Sequence, residues 1–149
     1  MPDQNKIVDK EGLDRILTRI AHEILERNRG SANLVLMGMR TRGEFLANRI
    51  FQKIKDIDKA ELPLGILDVT LYRDDFRTSL KQPQVSVSNI TFDINGKDVI
   101  LIDRGHRELP IRADYVGKNI PTSVYQEIKV KMEEIDGEDS IYLIELNKK

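Results

Sequence analysis

The 149-residue chain has no cysteine and no tryptophan, only two histidines, and aromatic residues at 5%. Without thiols there is no disulfide framework, no thiolate zinc site and no cysteine nucleophile, and two imidazoles leave little for histidine chemistry. Long apolar runs are missing as well: stretches such as Leu34 to Met37 and Val99 to Ile102 are far too short to cross a bilayer. The N-terminal stretch Met1-Pro2-Asp3-Gln4-Asn5-Lys6 offers nothing that a secretion apparatus reads, so a cytoplasmic location with no membrane partner is expected. Nor is there an excess of one sign of charge. The 24 basic and 25 acidic residues give a net charge of −1, which argues against a uniformly basic nucleic-acid binder.

What is present suits one domain spanning residues 1–149, with hydrophobic residues at 40% and charged residues at 33%. The charges are unevenly spread. Arg15, Arg19, His22, Arg27 and Arg29 fall in one segment, Arg104, His106, Arg107, Arg112 and Lys118 in another, and the stretch from Glu133 to Glu145 is acidic. Either basic segment taken alone also fits an ordinary solvated face.

Apolar residues at Leu13, Ile16, Leu17, Ile20, Ala21, Ile24 and Leu25 follow the period of a helix packing one face on a core. With Asp9 as N-cap and Gly30 as stop, the spacing predicts a helix over 11–29. Its opposite face carries Arg15, Thr18, Arg19, His22 and Arg29. Leu34 to Met37 reads as a strand buried on both faces, and Phe45, Leu46, Ile50, Phe51 and Ile54 predict a helix over 44–57. A strand follows over 64–72, then a polar stretch from Arg73 to Asn89 that suits a long loop or an exposed two-stranded arm. Ile90, Phe92 and Ile94 alternate up to an Asn95-Gly96 turn, after which Asp98 to Ile102 reads as another buried strand. Residues 104–122 look irregular. Ile128, Val130 and Met132 alternate, turn at Asp136-Gly137 and return through Ile141 to Leu146 as a closing hairpin. The fold class is therefore α/β, a mainly parallel sheet flanked by helices, with a C-terminal hairpin.

Three constellations carry possible chemistry. Met39-Arg40-Thr41-Arg42-Gly43 passes from a strand end to a helix start, where free N–H groups, two guanidinium groups and a hydroxyl suit a phosphate or diphosphate. The same residues fit a plain βα turn with solvated arginines. Leu71-Tyr72-Arg73-Asp74-Asp75 puts one cation and two carboxylates at a strand end, a place for hydrated magnesium beside a diphosphate or simply a turn. The run from Asp103 through Arg104, Gly105, His106 and Arg107 to Pro121 is by itself an irregular basic loop.

Leu17-Thr18-Arg19-Ile20-Ala21-His22-Glu23, Thr41-Arg42-Gly43, Leu71-Tyr72-Arg73-Asp74-Asp75 and above all Asp103 to Ser123 resemble the bacterial pyrimidine-operon attenuation regulators, the PyrR family of type I phosphoribosyltransferase fold. The resemblance covers nearly the whole chain. It implies a regulator that binds pyrimidine-operon leader mRNA in response to uridine nucleotides (UMP or UTP) and that also makes UMP from uracil and phosphoribosyl pyrophosphate. It assigns diphosphate and nucleotide contacts to Arg40, Thr41, Arg42, Gly43, Arg73, Asp74, Asp103 and Arg104. RNA contacts fall to Thr18, Arg19, His22, Arg27, His106, Arg107, Arg112 and Lys118, the two cation-rich segments already separated by charge. With so few aromatics, recognition would rest on guanidinium, imidazole and hydroxyl groups rather than on a stacking platform.

One departure is large. The family follows the strand corresponding to Asp98–Ile102 with an Asp-Asp-Val-Leu-Tyr-Thr-Gly-Arg-Thr loop for the ribose 5-phosphate, then a helix and a strand. Here Ile102 joins Asp103-Arg104-Gly105-His106-Arg107 directly, so roughly thirty residues are lacking, about one helix-and-strand step of a βαβ unit. A transferase must hold its sugar diphosphate at both ends. Catalysis and nucleotide binding are therefore expected to be impaired, with no confident catalytic residue, no required cofactor, and Mg2+ relevant only alongside phosphoribosyl pyrophosphate. An active uracil phosphoribosyltransferase, and a scaffold that keeps only assembly surfaces, remain the alternatives. Loss of a covering helix from a sheet that needs both faces packed also predicts a homo-oligomer, at least a dimer.

Overall fold

In the computed structural model, which describes residues 4–40, 42–73, 81–89, 96–103, 113–123 and 125–146, the chain begins with strand β1 (Gln4–Val8) and helix α1 (Lys10–Asn28). For 68–73 and 81–89 the description is of the backbone. Helix α1 has the predicted stripe, with Leu13, Leu17, Ala21, Ile24 and Leu25 buried. Asp9 caps it, its carboxylate accepting the Gly12 N–H at 2.8 Å. At the other end Arg29 takes the left-handed conformation and the Gly30 N–H closes onto the Leu25 carbonyl at 2.8 Å.

Strand β2 (Leu34–Met39) is buried at every residue, as its unbroken apolar run requires. Helix α2 (Arg42–Asp58) follows, then β3 (Leu64–Arg73), β4 (Lys81–Asn89) and β5 (Asp98–Ile102). The four strands form a sheet of order β4-β3-β2-β5, in which β2 runs parallel to both β3 and β5 while β3 and β4 are antiparallel. The polar stretch after Arg73 is thus the two-stranded arm of the two predicted options. Residues 74–80, and Ile90, Phe92 and Ile94, lie outside the described residues.

Three sequence expectations need correction. The closing hairpin exists as β6 (Gln126–Lys131) and β7 (Ser140–Glu145), but a helical turn, α3 (Glu133–Asp136), stands between the strands. The hairpin is part of a second sheet of order β1-β7-β6, because the polar segment Gln4-Asn5-Lys6 pairs antiparallel with Ile144, Leu143 and Tyr142. Strand β5, expected to be buried on both faces, lies at the sheet edge. Its Ile100 and Ile102 align with Leu36 and Gly38, whereas Val99 and Leu101 align with Val35 and Met37 on the other face and are 39% and 49% exposed.

Helix α1 packs on α2 and α2 lies on β2, and Val130 and Ile141 from the second sheet, with Met132 just after β6, close the same core. Each fully buried aliphatic side chain there stabilises the fold by about 1.5–3 kcal/mol. Two glycines set the position of α2. A Cβ at Gly38 would lie 2.7 Å from the Gly43 carbonyl oxygen, and one at Gly43 would run into the Ile102 carbonyl, so the helix start sits directly against the ends of β2 and β5.

Candidate functional site

The outer face of α1 and the irregular segment 113–120 form one surface. The Arg19 guanidinium donates to the carbonyls of Val116, at 3.2 Å, and of Gly117, while its other amino group holds Glu23 at 3.0 Å. The Tyr115 hydroxyl accepts from Asn28 Nδ2 at 3.1 Å, and the Arg27 guanidinium stands 5.5 Å from the Tyr115 ring centre. Beneath these polar ties, Tyr115 and Ile120 pack with Ile16 and Ile20 against the core. Residues 113–118, the described end of the second cation-rich segment, thereby lie against α1, almost a hundred residues away in sequence for the Arg19 contacts.

This arrangement sorts the predicted RNA contacts. Thr18 donates its hydroxyl proton to the Asp14 carbonyl at 2.9 Å, which leaves its oxygen as an acceptor. His22 and Lys118 are exposed on the same surface. Arg19 is engaged by its own fold, and Arg27 lies over an aromatic ring that the sequence reading, with stacking set aside, did not use. His106, Arg107 and Arg112 lie outside the described residues.

A second assembly occupies the carboxyl edge of the parallel sheet, where the Gly43 backbone meets Ile102 and Asp103. The ends of β2 and β5 therefore do bring Arg40, Arg42, Gly43 and Asp103 to one edge. The guanidinium groups there have carboxylate partners: Arg40 Nε is 3.6 Å from Glu44, and Arg42 Nη2 donates to Asp136 Oδ1 at 2.9 Å. Arg42 Nε is buried without a hydrogen-bond partner. Thr41, Asp74 and Arg104, and the Arg73 side chain, lie outside the described residues. Among the described residues no group of three acidic or histidine side chains converges as a metal site.

The residues that hold this edge were missed by the sequence reading. Arg49 on α2 donates to Asp139 at 2.8 and 2.7 Å and to Glu134 at 3.1 and 2.5 Å, so α2 is clamped to the turn between β6 and β7. Arg49 holds the Asp139 carboxyl below the usual range against the opposing effect of burial, helped by the Glu133 N–H. Burial pushes Asp136 up, but the Met132 N–H, at 2.8 Å, and Arg42 outweigh it and hold that carboxyl low as well. In the sequence these acids are only part of an acidic tail. Nothing local pairs them with arginines some ninety residues earlier.

Comparison with known proteins agrees with this architecture. Residues 3–133 match the phosphoribosyl transferase domain. The chain is 46% identical over 175 aligned positions to the bifunctional protein PyrR of Pelotomaculum thermopropionicum, with 96% of this chain and 97% of that protein covered. It is 40% identical over 182 positions to the bifunctional protein PyrR of Listeria monocytogenes serotype 4b, with 99% and 100% covered. An alignment of 182 positions exceeds the 149 residues of this chain by 33, so that relative carries residues with no counterpart here, in a number matching the segment expected to be missing after Ile102. Among solved structures, hypoxanthine phosphoribosyltransferase from Trypanosoma cruzi superposes with a TM-score of 0.68 at 16% identity, covering 98% of this chain and 96% of that one. The enzyme of that name from Staphylococcus aureus gives 0.63 at 16% identity, covering 96% and 91%. These two likenesses are of fold. Among the described residues no helix is long and apolar enough to cross a membrane.

Proposed function

The chain belongs to the PyrR family of phosphoribosyltransferases, and on that premise we propose that it is a pyrimidine-responsive regulator of transcription termination that grips leader mRNA through the outer face of α1 and the segment after Ala113. The observation that supports this reading is the pair of bonds from Arg19 to the Val116 and Gly117 carbonyls, which holds the described end of the second cationic segment, with Lys118, against the first. Such a surface neutralises backbone phosphates, while Thr18, His22 and Arg27 supply donors and acceptors for unpaired bases. Titration of a labelled pyrimidine-leader hairpin, with and without UMP, tests it. Binding that weakens with salt and prefers the leader to an unrelated hairpin is expected, and equal affinity for both overturns the reading.

Transferase activity and tight nucleotide binding are impaired in this proposal. The guanidinium groups of Arg40 and Arg42 already face carboxylates, and a βαβ step that would carry the ribose 5-phosphate loop has no place between Ile102 and Asp103. Magnesium would arrive only with a bound sugar diphosphate. The relatives' name, "bifunctional", favours the second reading, a working uracil phosphoribosyltransferase. Uracil-dependent formation of UMP, measured with phosphoribosyl pyrophosphate and Mg2+, decides between them, and turnover would overturn the impairment.

The protein also self-associates in this reading, with a second copy covering the β5 edge. Val99 and Leu101 are apolar and exposed on one face of β5, and among the described residues no strand pairs with its outer edge, whose backbone groups an identical strand would satisfy across a two-fold axis.

A further inference from the structure

Arg42 and Arg49 stand about two helical turns apart on α2, so they share the face turned toward the second sheet. The acidic turn between β6 and β7 spans them: Glu134 and Asp139 hold Arg49, and Asp136 reaches Arg42. The two contacts are unlike. Arg49 is bound through Nε, Nη1 and Nη2 by two carboxylates, whereas Arg42 meets Asp136 through Nη2 alone, at 2.9 Å, and its Nε is buried with no hydrogen-bond partner. Asp136 does not complete the pair, because its second oxygen, Oδ2, takes the Met132 N–H at 2.8 Å. Arg42 thus lacks the two-bond grip that a guanidinium makes with an oxyanion presenting two oxygens to its Nε–Nη2 edge. A diphosphate can supply both oxygens.

Asp136 and a diphosphate are both anions, and with the Asp136 side chain only 16% exposed there is little solvent to screen one from the other. They compete for the guanidinium. Resting on the reading of this sheet edge as a diphosphate site, we infer that the acidic turn is a built-in competitor for that site. Asp136 occupies Arg42 until a diphosphate displaces it, and Arg49, through Glu134 and Asp139, holds the turn in the blocking position. Arg49 is a positioning residue in this arrangement, about two turns from the contested guanidinium. The coupling is reciprocal. By whatever factor the turn weakens the anion, the anion weakens the turn, so a bound diphosphate loosens α3 where Asp136 ties it to Met132.

The test uses the full chain with inorganic pyrophosphate, read by calorimetry and by amide hydrogen exchange. Glu134→Gln takes one carboxylate from the Arg49 clamp at a partly exposed position and should raise pyrophosphate affinity roughly two- to threefold, while in an Asp136→Asn background it should do nothing. Saturating pyrophosphate should speed exchange roughly three- to tenfold at the N–H groups of Ile135, Asp136 and Gly137, which bond to the Met132 and Glu133 carbonyls. Exchange in the buried stretch of α1 should stay as it was. If the unaltered protein binds pyrophosphate while either the Glu134→Gln affinity or the exchange at residues 135–137 is unchanged, this inference fails and the diphosphate site stands. An equal gain from Glu134→Gln in both backgrounds reports a general loss of negative charge and also overturns it. Binding that requires Asp136→Asn is the extreme case of the competition and supports it. If neither the unaltered protein nor Asp136→Asn binds pyrophosphate, the inference and the diphosphate reading fail together.

Discussion

Arg42, the first residue of α2, donates from Nη2 to Asp136 Oδ1 at 2.9 Å, so a guanidinium at the carboxyl edge of the parallel sheet is tied to a carboxylate of the α3 turn. A cation paired in this way offers less to an incoming diphosphate. Asp136→Asn keeps one acceptor for the Met132 N–H and removes the charge that holds Arg42. Affinity for inorganic pyrophosphate should rise about three- to tenfold, roughly 1 kcal/mol, as read by calorimetry. An unchanged or lower affinity would show that Arg42 does not face the anion.

The Arg49 clamp should be worth more to stability than an ordinary surface pair, because Asp139 is only 6% exposed at its side chain and accepts two of the guanidinium bonds. Arg49→Ala should destabilise the protein by about 2 kcal/mol in urea unfolding, since it leaves a largely buried carboxylate with only a backbone N–H. Arg49→Lys should recover little, because an ammonium cannot span two carboxylates. Full recovery by lysine would refute the bidentate account.

Stability should depend on pH through the same acids. Asp136 and Asp139 have folded-state values below their unfolded ones, so they contribute stability above the unfolded value, near 3.9, and that contribution is lost as pH falls through the folded values. The melting temperature should be flat from pH 7 to about 5 and drop steeply below about 4. Arg49→Ala should make the drop shallower, because Asp139 then loses the group that depresses it. An equally steep acid limb in that variant would place the dependence elsewhere.

Assembly through β5 predicts that Leu101→Lys, on the exposed edge, shifts the protein toward monomer in light scattering at micromolar concentration, with little loss of stability because that side chain is 49% exposed. A variant with the mass of the unaltered protein would move the interface to another surface.

Much of this architecture was legible in the chain. The stripe from Leu13 to Leu25 specifies α1 because a 3.6-residue period can bury only one helical face, and Leu34 to Met37 specifies a central strand because both of its faces are apolar. The unusual run from Asp103 to Ser123 carries the family resemblance, and the direct step from Ile102 to Asp103 carries the expectation that one helix-and-strand step is lacking. Other features required the folded chain. Gln4 to Val8 has no strand pattern and becomes β1 only because β7 presents an open edge. Asp98 to Ile102 reads as buried whether or not a neighbour exists, since apolarity records what a strand can tolerate and not which strands stand beside it. The carbonyl partners of Arg19 and the carboxylate partners of Arg42 and Arg49 lie some 85 to 98 residues away in sequence, so whether these groups stay free for solvent or a ligand is decided by where the second sheet and segment 113–120 dock. Local sequence determines which residues can form a helix, a strand or a charged face, because those preferences act over a few bonds. Which charges remain free to bind is a long-range outcome, and only tertiary packing sets it.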